Sequence, residues 1–166
     1  MDIHMHSYHR QRMPDWPAAA VAGLAAGAVL MVLELIWLTW FTHASPWAVS
    51  HMIAAIVMGP DTLQSSGFSL GVVTVALLAH YVLGSLLGLV LAAVVAPFHL
   101  DSNSGLLSLT GAVFGAVLYL LNFYGMVQFF PWFADWRGSA TFVNHLIFGV
   151  SAALLYARLD RHGADR

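Results

Sequence analysis

Four polar side chains of the kinds that carry protons, bind metals or ligate haem iron lie inside long apolar runs of this chain. They are Glu34, His80, Asn122 and His145. Carboxyl and imidazole groups are rare at such positions, because a charge at the centre of a bilayer costs about 2.5–3.5 kcal/mol even on the lenient insertion scale. Where they do occur, they mark the paths of ions or protons and the sites of ligands. These four residues are therefore the candidate site.

Three kinds of chemistry fit these residue types. His80 and His145, on different helices, have the layout of two axial ligands of a haem b. Together with Glu34 they form a three-ligand set for a divalent metal, so the sequence leaves the cofactor open between haem b and a metal. Glu34 alone suits a proton carrier. The structural alternative is a hydrogen-bonded network in which Glu34 bonds a histidine and Asn122 completes the chain, at about 0.6 kcal/mol per bond.

The elements that must position these residues are membrane-spanning helices. Apolar residues make up 60% of the 166 residues, charged residues only 8%, and the mean hydropathy is +0.77. About 20 apolar residues in a helix cross the hydrocarbon core, and lipid requires every backbone group to be satisfied within its segment. The sequence predicts an all-α membrane protein with a polar tail over 1–15, a domain over 16–160 and a short tail over 161–166. The four spans are predicted at about 17–41, 70–96, 106–130 and 139–159.

A fifth, shorter helix is predicted over residues 46–58. Ser45 is a suitable N-cap, Pro46 suits the first helical position, and Gly59-Pro60 suits the end of the helix. The segment is too short to span, so we expect it to lie at the interface or to re-enter the membrane. His51 is expected to support the polar layer from this helix.

The chain is predicted to contain two related halves. The stretch from Gly23 to Glu34 aligns with that from Gly111 to Asn122, and His80–Gly84 aligns with His145–Gly149. This pattern predicts two parallel helical-hairpin repeats about an axis along the membrane normal. Small residues on the same faces as the four polar groups predict close helix packing and place those groups inside the bundle at a common depth. The packing glycines are Gly23, Gly27, Gly84, Gly88, Gly111, Gly115 and Gly149.

Arginine counting predicts the orientation. Only Arg137 lies between predicted spans on one side, whereas the other five arginines lie near the two termini. The positive-inside rule therefore places both termini in the cytoplasm and the protein in a cytoplasmic (inner) membrane. Tryptophans near the opposite span ends are expected to anchor that interface. They are Trp37, Trp40, Trp47, Trp132 and Trp136.

Composition and motifs narrow the function. There is no cysteine, the net charge is only −2, and no phosphate loop or HExxH motif is present, so we expect neither an enzyme nor a nucleic-acid partner. We expect a small accessory or structural subunit of a larger membrane complex, namely an electron-transfer assembly. The alternatives are a haem or metal protein that uses His80 and His145, and a dimeric proton-coupled transporter that uses Glu34. A lone glutamate in the first of four spans resembles the layout of small multidrug-resistance transporters in topology alone. The expected partners are lipid and either other membrane subunits or a second copy of the chain.

Overall fold

Helices form nearly all of the computed structural model, which describes residues 13–42 and 44–164, the last four as backbone only. Four helices are long and apolar enough to cross a membrane, which confirms the predicted all-α membrane fold. The predicted spans and the short helix agree with the structure to within a few residues. Most of the predicted N-terminal tail, residues 1–12, and the last two residues lie outside the described part. The helices are α1 Trp16–Phe41, α2 Ala48–Met58, α3 Leu70–Val95, α4 Ser104–Leu120 and α5 Ser139–Ala164.

Local capping explains where three of the spans begin. The Asp15 side chain accepts a hydrogen bond from Ala18 N at 3.0 Å at the start of α1. Ser69 precedes α3 and accepts from the amide of Val72. Asn103 accepts from Gly105 N at 2.7 Å at the start of α4. Each cap satisfies an amide that has no partner within its helix, as a span beginning at a membrane interface requires.

The short helix α2 begins later than predicted. Ser45 was expected to cap it, but α2 starts at Ala48 and the residue before it, Trp47, makes no side-chain cap. The hydroxyl of Ser45 does accept from Trp47 N at 3.3 Å, in the turn that leads into α2. It also donates to the carbonyl of Ser66 at 2.6 Å, which joins the two ends of the connection between α1 and α3. The predicted end is confirmed, because Gly59 adopts a left-handed φ of 93° that favours glycine.

The third span does not stay α-helical to its end. After Leu120 the chain forms a π-helical turn, Leu121–Gly125, and then a 3₁₀ turn, Met126–Gln128. Such turns leave carbonyls without their usual helical partners. Arg137 Nε donates to Phe123 O at 2.6 Å, and the Arg137 guanidinium lies 4.4 Å from the centre of the Tyr124 ring. This arginine therefore closes the irregular end of the third span.

The helices pack tightly through small residues. At the interface of α1 and α3, a Cβ atom on Gly88 would lie 2.8 Å from Gly23 Cα. At the interface of α4 and α5, a Cβ atom on Gly111 would lie 2.8 Å from the carbonyl carbon of Gly149. In addition, α1 packs along α5, whereas α3 and α4 touch only sparsely.

The two ends of the bundle differ in how they are filled. We call the end that carries the chain termini the terminal end, and the other the α2 end. The buried core at the terminal end consists largely of alanines on α1, α3 and α5, together with Leu91 and Tyr156. Residues at the α2 end are larger, and two buried clusters there surround α2 and the aromatic segment Pro131–Trp136. The bundle is therefore closed at one end and wider at the other.

Two of the predicted interface tryptophans connect α2 with the aromatic segment Pro131–Trp136. Trp132 Nε1 donates to Met52 O on α2 at 3.3 Å, and Trp136 packs against both clusters at the α2 end. These contacts fasten α2 to the aromatic segment. Trp40, by contrast, is 72% exposed, as a lipid-facing anchor would be. Trp37 stacks on Phe41, and Trp47 contacts Phe68 edge-on.

Candidate functional site

The wider α2 end encloses a cavity of about 360 Å³ among the four spans and α2. Glu34, His80, Asn122 and His145 all line it. The remaining lining is almost wholly apolar and includes residues from every span and from α2. The volume lies within the range of about 300–1,000 Å³ that is typical of small-molecule sites, and so does this mixture of apolar walls with a few polar groups.

Glu34 lies on α1 and lines the cavity, and one of its two carboxyl oxygens has no hydrogen-bond partner among the described residues. The Asn144 side chain of α5 is the polar group that interacts with its carboxyl group. Even so, Glu34 Oε1 and Asn144 Nδ2 are both buried and make no hydrogen bond within the described chain. Buried polar groups left unpaired cost about 1–3 kcal/mol each, so such pairs point to a site that something else completes.

His145 is held by its own helix. Its Nδ1 atom lies 2.8 Å from Thr141 O, one turn earlier in α5. Its Nε2 atom lies 3.4 Å from Asn122 Nδ2, so the two polar residues of the second half meet inside the cavity. Asn122 stands in the π-helical turn, and the ring of His145 packs edge-on against Tyr119 and Phe123. The π-turn therefore helps to aim Asn122 at the histidine.

His80 bonds to a different element from its counterpart. Its Nε2 atom lies 2.8 Å from Gly27 O on α1, and a Cβ atom on Gly27 would lie 3.6 Å from the same nitrogen, an ordinary contact distance. That bond joins α1 and α3 directly. Gly27 is seven residues from Glu34, which is about 10 Å along a helix.

The predicted polar layer therefore has a different internal arrangement. The expected bond from Glu34 to a histidine is absent among the described contacts, and the α5 side chain that Glu34 meets is Asn144, the residue before His145. The expected common depth is also inaccurate, since His80 reaches the level of Gly27 rather than that of Glu34. The polar groups are spread along the cavity wall. Only His145 and Asn122 form the kind of pair that the network hypothesis predicted.

The donor set does not favour a metal or a haem at this point. Among the described residues, no three histidine, aspartate or glutamate side chains are grouped closely enough to hold a metal ion. His145 donates Nδ1–H to a carbonyl at 2.8 Å, which leaves Nε2 as the nitrogen available to a haem or metal, the usual arrangement of such a ligand; His80 instead uses Nε2 for its carbonyl bond at 2.8 Å and leaves Nδ1. The two nitrogens that remain are on opposite sides of their rings, so the histidines do not form a matched pair.

Two residues of the cavity lining are exposed, one on α3 and one on the third span. They are Leu83 and Leu121, which are 44% and 53% exposed. They stand where α3 and α4 touch only sparsely. Leu83 is at the middle of the 26-residue helix α3, about 20 Å from its first residue. A cavity that opens here would face the acyl chains of a surrounding bilayer.

The structure changes what was expected of two residues, Asn144 and His51. Asn144 was not singled out, because the proposed repeat aligns it with Ala79 and so gives it no polar counterpart. An amide within an apolar run was the signal that could have revealed it. His51 was expected to support the polar layer, but it is 3% exposed, lies outside the cavity lining, and bonds through Nδ1 to Trp47 O at 2.9 Å.

Comparisons with known proteins add no functional information to this geometry. No protein-family model, curated protein or solved structure matches the chain.

Proposed function

We propose that this protein binds a lipophilic small molecule within the membrane, in the cavity at the α2 end. The observation that carries the proposal is the pair Leu83 and Leu121, which line the cavity and are also exposed on the lipid-facing surface. A molecule dissolved in the acyl chains can enter between them without crossing water. The apolar walls then take its body, and the polar groups take its head.

Photolabelling tests whether lipid-dissolved molecules reach the cavity. A small aryl diazirine probe is equilibrated with the purified protein in lipid nanodiscs, illuminated, and its sites of insertion are mapped by mass spectrometry. We expect label on Leu118 and Phe148, which line the cavity yet are only 5% and 2% exposed. Leu91 is 1% exposed and lies outside the cavity lining, so it should stay unlabelled.

Blocking the opening supplies the matched control. The double variant L83W/L121W places an indole on each side of the opening and should remove the label from Leu118 and Phe148. The double variant V82W/L120W makes the same change at neighbouring residues that are 58% and 55% exposed but do not line the cavity. It should leave the labelling unchanged. Label on Leu109, on the lipid-facing surface, reports that each variant is folded and inserted. An unlabelled Leu118 in the unmodified protein would refute the proposal.

A second candidate function is proton-coupled transport with Glu34 as the proton carrier. It is favoured by one observation, namely that a carboxyl oxygen is buried without a partner inside a membrane cavity. Such a group is able to exchange a proton for a ligand as the cavity becomes accessible from each side. The two functions are compatible, since a transporter must first bind its ligand.

The other functional predictions are supported less directly. A role as an accessory subunit of an electron-transfer complex rests on composition and on the short connections between spans. A haem or metal role for His80 and His145 has weaker support, because the two histidines leave different ring nitrogens available and no group of three ligands is found among the described residues. The predicted partners are still lipid and either further membrane subunits or a second copy of the chain. The protein is still predicted not to be an enzyme.

Two finer features of the architecture are proposed together with this function. The hairpins α1–α3 and α4–α5 are proposed to be parallel repeats, supported by the glycine contacts at corresponding positions, Gly23 with Gly84 and Gly111 with Gly149. In the proposed repeat, the pair of helices that corresponds to α1 and α5 is α4 and α3. Helix α1 packs closely along α5, whereas α3 and α4 touch only sparsely, and this difference leaves the cavity open. Helix α2 is proposed to lie at the interface as the cover of the cavity.

Single cysteines test the proposed orientation, in which both termini are cytoplasmic. The natural chain contains no cysteine, so one introduced thiol gives an unambiguous signal. Q64C lies at an exposed position at the α2 end, and S102C at an exposed position between α3 and α4. We expect a membrane-impermeant maleimide to label Q64C in intact cells and S102C only after permeabilisation. The reverse pattern would place the termini outside.

A further inference from the structure

The hydrogen bonds already made inside the cavity determine which polar groups are left for a ligand. Thr141 O can only accept, so the 2.8 Å contact requires His145 Nδ1 to carry the proton. In the neutral ring, Nε2 is then an acceptor. Its neighbour Asn122 Nδ2 lies at 3.4 Å, which is long for a hydrogen bond, so this acceptor is only weakly engaged.

The same argument applies to the other side of the cavity. Gly27 O accepts from His80 Nε2 at 2.8 Å, which leaves Nδ1 of the neutral ring as an acceptor. If the Asn122 amide nitrogen turns to His145, its oxygen is also left as an acceptor. Glu34 contributes the unpaired Oε1. Around His145 and Asn122 the groups left for a ligand are therefore acceptors, while Asn144 Nδ2, a buried donor without a hydrogen bond among the described residues, belongs to the side chain that meets Glu34.

The route into the cavity restricts the charge of the ligand. The opening lies between Leu83 and Leu121, in the middle part of the spans, where a bilayer is hydrocarbon. Neither lysine nor arginine is among the cavity-lining residues to balance a ligand's negative charge. A permanently charged molecule does not populate the depth from which this opening is reached. A neutral molecule does.

The walls indicate the rest of the ligand. Aromatic rings form one side of the cavity, from the end of the third span and the segment that follows. These residues are Phe123, Phe130, Phe133 and Trp136. Planar aromatic molecules make favourable offset or edge-on contacts with such rings. Resting on the proposed function, we infer that the ligand is a neutral aromatic molecule with a hydroxyl donor, of the phenol or hydroquinone class, whose hydroxyl is accepted by the group around His145 and Asn122.

A pair of probes that differ in one donor tests this inference. 2,6-Diisopropylphenol and its methyl ether have nearly the same body, but only the phenol donates a hydrogen bond. Each is added to nanodisc-embedded protein at equal measured membrane concentration, and protection of Leu118 and Phe148 from the diazirine probe is recorded. We expect half-maximal protection by the phenol at about fivefold to tenfold lower concentration than by the ether, the advantage of one hydrogen bond.

Two variants connect that difference to the named acceptors. H145F keeps an aromatic ring among Tyr119 and Phe123 but removes the acceptor nitrogen, and N122L removes the amide. In each, the phenol should lose its advantage while the ether protects as before. Label on Leu109 again reports that the variant is inserted.

The outcomes separate the two proposals. Equal protection by phenol and ether in the natural protein would overturn the inference about the hydroxyl donor and leave the proposed binding function intact. Stronger protection by the corresponding benzylammonium ion would overturn the inference of a neutral ligand. The proposed function itself fails only if the diazirine does not reach Leu118 in the absence of competitor.

Discussion

Replacing Gly88 by alanine is expected to destabilise the protein by about 1–3 kcal/mol, although it adds a single methyl group. The added Cβ would collide with the backbone oxygen of Ala19 and would lie 2.8 Å from Gly23 Cα and 2.9 Å from Gly23 N. All three neighbours are backbone atoms of α1, so no side chain can rotate away. The helices must separate, and the contact that holds the first hairpin together is lost over several residues.

Gly71 provides the matched control in the same helix. A Cβ atom there meets nothing within 4 Å, and alanine is a better helix former than glycine. We therefore expect G71A to unfold at the same denaturant concentration as the natural protein or at a higher one. The measurement is equilibrium unfolding in mixed micelles, followed by circular dichroism. Equal midpoints for G88A and G71A would contradict the proposed packing role of the glycines.

The second hairpin extends this test to the proposed repeat. A Cβ atom on Gly111 would lie 2.8 Å from the backbone of Gly149 and of Val150, so G111A should be destabilised to an extent similar to G88A. A large loss in one hairpin and none in the other would show that the two interfaces are not equivalent. The comparison needs no knowledge of the ligand.

The helical framework was predictable from sequence because hydropathy and helix-end signals act locally. Runs of about 20 apolar residues and Gly59-Pro60 as a stop depend only on nearby residues. The faces of the glycine stripes were predictable for the same reason, since residues four apart share a helical face. The structure accordingly places all four chosen polar residues on one cavity.

The rest of the site depends on which helices pack against each other. The spacing of apolar and small residues along the sequence says little about that. Glu34 meets the side chain of Asn144, without a hydrogen bond between Oε1 and Nδ2, because α1 packs along α5, and the repeat pattern gave no reason to prefer that contact. The opening at Leu83 and Leu121 exists because α3 and α4 stay apart. The π-turn that carries Asn122 is closed by Arg137 from the following segment, a contact that no local signal in the third span reveals.

Replacing Glu34 by glutamine is expected to abolish proton-coupled flux if Glu34 is the proton carrier. Glutamine has nearly the same shape but cannot bind and release a proton. Its amide can still pair with the side chain of Asn144, so the packing of α1 along α5 should be retained. Loss of flux would then reflect lost proton exchange rather than misfolding, which the unfolding midpoint of E34Q can verify.

The measurement uses proteoliposomes that contain a trapped pH-sensitive dye and receive 2,6-diisopropylphenol together with an outward-directed or inward-directed pH gradient. For the natural protein, we expect the phenol to accelerate proton movement above the rate in protein-free vesicles. For E34Q, the rate should fall to that of protein-free vesicles. D61N is the matched acid-to-amide control, because Asp61 is exposed in the connection after α2 and lies outside the cavity. Unchanged flux in E34Q, with D61N also unchanged, would rule out Glu34 as the carrier and leave the cavity as a binding site alone.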